Sequence, residues 1–423
     1  MSALLKAEVA SFTRREKFFI LFCMICCKAI AAEYGITRPA SNALFLTVFS
    51  SKAYPYVWLA TVPLNLFVVY LYNRFLPRIG PLKMMLTLGT LTIAINTSCG
   101  FLLSSFPHLV FFHFAWKDIY ILMMFKQLWS MIHSTIAATR AKIIYGIIFG
   151  MGTIGSVLSS LIPGFFAVRI GSEQLFFFTL PVYAVMISAY ALAFKRSGVQ
   201  ETSFGRDLTK DIRPGEGFAL IRRSPFLIAV LLLVVFMQVS VALAEYQFNA
   251  HLELNIMQKD LRTEYCGRLI GITNFLSAIF QFLGTFLMVH FLGIKRSHFF
   301  IPLLLCLTVL SSWAIPAFAA VSLCFVFIKS VDFSLFGIIR EMLYIPLKLD
   351  EKFRAKAVID VFAYRTSKAL VSLAVIALQG MAGAYLLSWV SGLSIAVFAA
   401  WMAVVAFMFK KYQPAEFSKM VNQ

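Results

Sequence analysis

Charge is what this chain is short of. Only 13% of its 423 residues are Asp, Glu, Lys or Arg, against about 25% in a soluble globular domain. Acidic residues are scarcer than basic ones, 19 against 38, which leaves a formal charge of +19. With 60% hydrophobic residues and a mean hydropathy of +0.83, the chain has too little polar surface to cover an aqueous exterior. Lipid is the solvent that suits this composition. A net charge of +19 also raises nucleic acid as a partner, but basic residues that bind DNA form a patch or stripe on a soluble face. Here they stand in short clusters between apolar runs, the pattern of the positive-inside rule. No nucleic-acid partner is expected.

Other shortages narrow the chemistry. The 7 cysteines lie in or beside apolar segments, and Cys23-x-x-Cys26 falls inside one hydrophobic run, so the thiols read as small apolar residues without a disulfide framework. The 6 histidines show no metal-ligand spacing, and neither a metal nor another cofactor is expected. Gly146, Gly150, Gly152 and Gly155 lead into Ser156, Ser159 and Ser160, but no Lys-Ser/Thr follows them. They form no phosphate loop, and ATP hydrolysis is not supported. They read instead as a small-residue surface for close helix packing. His113 and Asp118 make an H-x4-D pattern known from membrane acyltransferases, yet no other catalytic block accompanies it. The pair reads as a coincidence, no catalytic residue is assigned, and the chain is not expected to be an enzyme. Lys6, Arg14, Arg15 and Lys17 precede Phe18–Ile30 without a small-residue cleavage site. The run continues into Lys28, Glu33 and Arg38, so it reads as a first span.

What is present is a series of apolar windows of roughly 20 residues, each long enough to cross a bilayer as a helix. They lie near 18–38, 53–73, 82–104, 108–132, 142–168, 174–194, 223–247, 267–291, 298–317, 319–345, 357–379 and 382–409. The expected class is an all-α membrane protein of about twelve transmembrane helices. Residues 1–194 make a first six-helix bundle, 195–222 a basic cytoplasmic linker, and 223–423 a second six-helix bundle. The clusters Arg74/Arg78/Lys83, Arg140/Lys142, Lys295/Arg296, Lys348/Lys352/Arg354/Lys356 and Lys410/Lys411 then fall on the side of the N-terminus. Both termini are expected in the cytoplasm, with the chain in the inner membrane. The stretch 248–266 is the exception on the opposite side, since it mixes both signs.

The halves repeat. Lys126-Gln127 and Arg340-Glu341 stand 214 positions apart, as do Arg140-Ala141-Lys142 and Arg354-Ala355-Lys356, and Gly80 and Gly293 stand 213 apart. Three correspondences in nearly one register point to a parallel duplication of a six-helix unit, the architecture of major-facilitator-like proteins.

Ionisable groups inside spans are costly and mark functional positions by default. The first span offers Tyr34 and Arg38, with Ser41 and Asn42 on the same face. The seventh offers Glu245. The tenth carries Lys329, Asp332, Arg340 and Glu341, with Lys329, Asp332, Phe336 and Arg340 on one stripe. The eleventh sets Asp360, Tyr364 and Lys368 at successive helical turns, with Arg365 alongside. Lys28, Lys117 and Asp118 read equally well as structural ion pairs. Arg and Lys beside Tyr and Phe suit a phosphate joined to a stackable ring.

The tenth and eleventh spans also resemble a known family. Lys329-Ser-Val-Asp-Phe333-Ser334-Leu335-Phe336, then Arg340-Glu341-Met342-Leu-Tyr344-Ile345-Pro346-Leu347, then Lys356-Ala357-Val-Ile-Asp360 and Arg365-x-x-Lys368 look like the signature of the ATP/ADP translocases. Those are the nucleotide transporters of intracellular bacteria and plastids. Leu128-Trp129, Arg140-Ala-Lys and the glycine-rich fifth span are similar to the matching part of the family's first half. Glu245 and Lys368 match its seventh-span glutamate and eleventh-span lysine. The family's R-D-T-K-D motif appears as Arg38-Pro39-Ala40-Ser41-Asn42, and Gln127 stands where the family has glutamate. The resemblance implies a major-facilitator-like monomer that moves nucleotides by alternating access, as ATP:ADP antiport or nucleotide uptake. A smaller anionic metabolite, with proton coupling through Glu33, Asp332, Asp360 or Glu245, is the alternative cargo. A non-transporting membrane enzyme or sensor comes last.

Overall fold

A computed structural model describes residues 12–136, 138–198, 214–284, 288–344 and 349–411. Among them every regular element is a helix. In chain order these are α1 (Arg14–Phe49), α2 (Tyr54–Ile79), α3 (Pro81–Leu102), α4 (Leu109–Thr135), α5 (Ala138–Ile170) and α6 (Thr179–Ser197). A short α7 (Pro214–Arg223) precedes α8 (Pro225–Asn255), α9 (Lys259–Ile279), α10 (Gly293–Ala314), α11 (Phe318–Val331), α12 (Gly337–Leu343), α13 (Leu349–Met381) and α14 (Leu386–Lys411). Wider π turns cover Phe280–Gly284, Met288–Leu292 and Asp332–Phe336.

Nine of the described helical segments are long and apolar enough to cross a membrane. The long helices α4, α9 and α13 are not among these nine, and each holds several ionisable residues along its length. The chain is a multi-pass α-helical membrane protein. Of the linker expected at 195–222, residues 199–213 lie outside the described residues.

Local chemistry explains the helix ends. Ser224 caps α8 by accepting from the Leu227 N–H, with Pro225 in the first turn where its missing N–H costs nothing. Gly80 and Gly293, the glycines of the sequence repeat, have φ of 79° and 69°. Each lets one helix end and the next begin within a residue or two, a left-handed geometry that a Cβ disfavours. The first span differs from expectation, since α1 runs through Pro39 to Phe49. Proline at this point lacks an N–H for the preceding turn and crowds the carbonyl four residues back, which belongs to Gly35. Ser41 and Asn42, expected on the face of Tyr34 and Arg38, are buried within the helix.

The described chain forms two compact units. The first comprises Met1–Val48, Pro63–Asp211 and Gln258–Gly271, and the second Phe49–Val62, Ile212–Met257 and Ile272–Gln423. In the first unit a core of Phe19, Cys23, Tyr120, Met124, Leu128 and Tyr190 joins α1, α4 and α6. The mixed-sign stretch at the start of α9 is neutralised within this unit. Lys259 pairs with Glu173, Asp260 accepts from Ser172, and Arg268 pairs with Glu264 at 2.8 Å. In the second unit α8 is the hub, packed on α11, α13 and α14.

The glycines of α5 divide by what they face. Gly152 and Gly155 press on Cys27 and Lys28 of α1, and a Cβ at Gly155 would sit 2.3 Å from the Lys28 carbonyl oxygen. Gly146 and Gly150 have nothing within 4 Å of a Cβ. The close-packing surface therefore begins at Gly152. Gly155→Ala is expected to lower stability in detergent micelles by about 1–3 kcal/mol, because backbone must move. Gly146→Ala is expected to be neutral or stabilising by up to about 1 kcal/mol. Equal effects at both positions in a denaturant titration would remove the packing distinction.

Candidate functional site: two buried charge clusters

The second unit holds the denser cluster. The Lys329 ammonium on α11 pairs with the Glu245 carboxylate on α8 at 3.1 Å, and both side chains are 8% exposed. The same ammonium stands 6.0 Å from the Phe325 ring centroid and 5.7 Å from that of Phe333. Phe325 stacks on Phe248 of α8 at 4.5 Å. Three residues on from Lys329, Asp332 accepts a hydrogen bond of 2.9 Å from the Gln238 amide of α8. Glu245, Lys329, Phe248 and Phe325 thus share the α8–α11 interface, with Asp332 and the partly exposed Phe333 in the π turn that follows α11. Lys368 on α13 lies 5.4 Å from the ring centroid of Trp58, which belongs to the same unit.

The expected stripe of Lys329, Asp332, Phe336 and Arg340 is broken by the π turn at Asp332–Phe336. A π turn carries an extra residue, so the side chains beyond it rotate off the α-helical register. Phe336 packs edge-on against Trp401 of α14 at 5.4 Å. Arg340 reaches Glu341 at 3.5 Å, and Glu341 accepts from Lys356 at 2.7 Å. This second ionic group is half-exposed. Tyr364 is 47% exposed and Arg365 is half-buried. The side chain of Asp360 lies outside the described residues, as do Ile345, Pro346 and Leu347.

In the first unit, Arg38 stands over the Tyr34 ring at 5.7 Å, and the Tyr34 hydroxyl donates to Asp118 at 3.1 Å. Asp118 also pairs with the buried Lys117 at 3.1 Å, and that ammonium sits 3.7 Å over the Phe114 ring. Gln127 is anchored elsewhere in the unit. Its amide nitrogen donates to the Pro81 carbonyl and the Tyr190 hydroxyl, each at 2.9 Å, and its oxygen accepts from Tyr72. His113 and Asp118 bond different partners, so their H-x4-D spacing forms no dyad.

A third arrangement was not anticipated. Glu33 accepts from Thr37 at 2.6 Å, from the Asn96 amide at 3.2 Å and from Tyr120. Asn96 also donates to Thr179 at 3.2 Å, and its oxygen faces His113 Nε2 at 3.1 Å. Since that oxygen can only accept, the Nε2 carries the proton. In the neutral ring Nδ1 is then free to accept from Ser41 at 3.2 Å. All these groups are buried. Sequence reasoning singled out charged residues and passed over neutral partners such as Asn96, Gln238 and Trp58. A lone amide inside an apolar span was the available signal for the first two.

Residues 317–412 match the family model of the TLC ATP/ADP transporter, a stretch that contains the resemblance at 329–368. Among curated proteins, no sequence match to the chain is found. Solved structures share the fold. A mutant of the nucleoside transporter NupG superposes with a TM-score of 0.67 at 11% identity, covering 91% of this chain and 99% of that one. A bacterial homologue of the iron transporter ferroportin gives 0.65 at 10%, covering 94% and 99%. A bacterial homologue of the human lysosomal transporter Spinster gives 0.58 at 13%, covering 97% and 99%. The chain has the fold of these solved transporters, and its residues 317–412 match the TLC ATP/ADP transporter model.

The amide of Asn96 ties three buried groups together, so its loss leaves each short of a partner. Asn96→Leu is expected to cost about 3 kcal/mol in detergent unfolding, while Ser98→Leu, on the exposed side of α3, changes little. Comparable small losses at both positions would mean that the network contributes no specific stability.

Proposed function

We propose that the protein is a secondary transporter of nucleotides working by alternating access, through ATP:ADP antiport or nucleotide uptake. The observation that carries this reading is the buried ion pair between Glu245 and Lys329, of which Lys329 and its neighbouring rings Phe325 and Phe333 lie in the segment that matches the TLC model. A buried ammonium needs a counter-anion, and a phosphate can take the place of the glutamate. Lys329, Lys368 and Arg340 of the second unit then hold phosphate charge, Glu245 holds Lys329 when no nucleotide is present, and Arg38 is the candidate cation of the first unit. Tyr34 or Tyr364 stacks on the base. Asp332, Glu341, Asp360 and Arg365 set the local charge around these cations. Gln127, saturated by Tyr72, Pro81 and Tyr190, fixes its helix rather than meeting cargo. No covalent step is required of the protein, in line with a transporter rather than an enzyme. Its setting is the inner membrane with both termini cytoplasmic, and it acts as a monomer.

One observation favours a variant of the reading. Glu33 is buried among neutral donors with no cation among its hydrogen-bond partners, an arrangement suited to a carboxyl that gains and loses a proton during transport of a smaller anionic metabolite. Uptake that collapses with a protonophore, and is indifferent to internal nucleotide, supports this variant.

Proteoliposomes loaded with unlabelled ADP are expected to accumulate labelled ATP or another nucleotide faster than empty ones. If no nucleotide is transported, and none raises the unfolding temperature, the nucleotide assignment fails. Glu245→Gln is expected to lower stability by about 3–5 kcal/mol, because it leaves Lys329 buried without its counter-ion. The exchange Glu245→Lys with Lys329→Glu recovers part of that stability but not uptake, since the cation no longer stands at its place among the phenylalanine rings. Wild-type transport by the exchanged protein would show that the pair is structural only.

A further inference from the structure

Outside these clusters the second unit holds a cavity of about 580 Å³ between α10 and α14. Its walls are apolar, with Phe299, Phe300 and Leu303 from α10 and Phe409 from α14. Phe299, Phe300 and Leu303 are each about two-fifths exposed, on a surface that the membrane-spanning fold turns towards lipid. At one end stand three exposed cations, Lys295 and Arg296 in the first turn of α10 and Lys410 in the last turn of α14. Lys410 suits its helix end, where the dipole favours cations. Lys295 and Arg296 do not, because the first turn of a helix favours anions and α10 has none there. Their placement is unfavourable for the helix and favourable for an anion held at that end.

The cavity is therefore polarised along its length. From the level of Lys295 to Leu303, eight residues of helix span roughly 12 Å, all of it lined by rings and aliphatic groups beyond the cations. A water-soluble anion would use the cationic end and leave the apolar floor empty. A zwitterionic lipid would use the floor and bring a fixed positive charge to the cations. An anionic phospholipid satisfies both parts, with its phosphate among Lys295, Arg296 and Lys410 and the upper part of an acyl chain against Phe299, Phe300 and Leu303. Basic pockets between membrane helices are suited to such headgroups. We propose that this cavity is a binding site for one anionic phospholipid.

The test uses the full chain purified in a mild detergent, with the lipid-free unfolding temperature of every variant read first. Phosphatidylglycerol, phosphatidylcholine and glycerol phosphate are titrated in turn. Phosphatidylglycerol is expected to raise the unfolding temperature at low mole fraction, whereas the other two leave it unchanged. In the triple variant Lys295→Gln, Arg296→Gln, Lys410→Gln the half-maximal phosphatidylglycerol concentration rises roughly 100-fold, from three cations each contributing about a factor of five. Leu303→Trp, which fills the floor and keeps the cations, weakens the response as well. The triple variant Arg74→Gln, Arg78→Gln, Lys83→Gln keeps it. An equal response to phosphatidylcholine or to glycerol phosphate overturns the proposal, as does an unchanged response in the first triple variant or in Leu303→Trp. Equal loss in both triple variants also overturns it, since general attraction to the basic surface would then suffice.

Discussion

A charge placed in an apolar helix must find its compensation within the protein, and most of the informative structure here follows from that constraint. Moving an ion from water to a medium of low dielectric costs of order 20 kcal/mol in the idealised limit, and several kcal/mol after relaxation. The chain meets this cost in three ways. Lys329 and Glu245 neutralise each other across α8 and α11. Lys117 takes Asp118 on one side and the face of Phe114 on the other. Glu33 has hydroxyls and an amide for partners, with no cation among them. Each solution fixes the helices that supply the parts, so the same groups that threaten stability in lipid also specify which helices adjoin.

These solutions differ in what they allow next. A buried ion pair roughly balances desolvation against attraction, so its net contribution is small although the loss of one partner is costly. A group in that position can exchange one counter-ion for another at little net cost, which is what a transporter of anions requires. Lys329 is a group in such a pair, and the π turn that follows it adds a local irregularity of the kind found at functional positions. Gln127 is not such a group. Its amide bonds are made by a proline carbonyl and two tyrosines, and being neutral it has no counter-ion to trade. The two positions looked alike as family sites in sequence and differ in their chemistry.

How far such distinctions could be read beforehand depends on whether they are local. Hydropathy is a property of a window, and the apolar runs made the helical membrane class legible without any tertiary information. The signature from Lys329 to Lys368 is also contiguous, and the TLC match falls on it. Pro39 was harder, because a helix that passes through proline depends on neighbours that hold it in place. The rotation of Phe336 onto Trp401 needs a π turn that no residue pattern announces. Gly146 and Gly155 are equivalent in spacing, and only the position of α1 tells them apart. Asn96 and Trp58 acquire meaning from Glu33, His113 and Lys368, partners 63, 17 and 310 positions away.

The basic excess of the chain then separates into populations by burial. Cations at helix ends, such as Lys410 and Lys411, are exposed, cost little, and suit the dipole and the membrane surface. Cations within helices, such as Lys117 and Lys329, are buried and each has a carboxylate and an aromatic ring beside it. Lys295 and Arg296 are also exposed cations at a helix end, but they are set where their own helix disfavours them. A formal charge of +19 is thus not one property with one cause. Topology accounts for the first population and the interior of the units for the second. Within the first, Lys295 and Arg296 also border an apolar cavity, and a ligand with both a charge and a hydrocarbon chain would give both halves of that surface a partner.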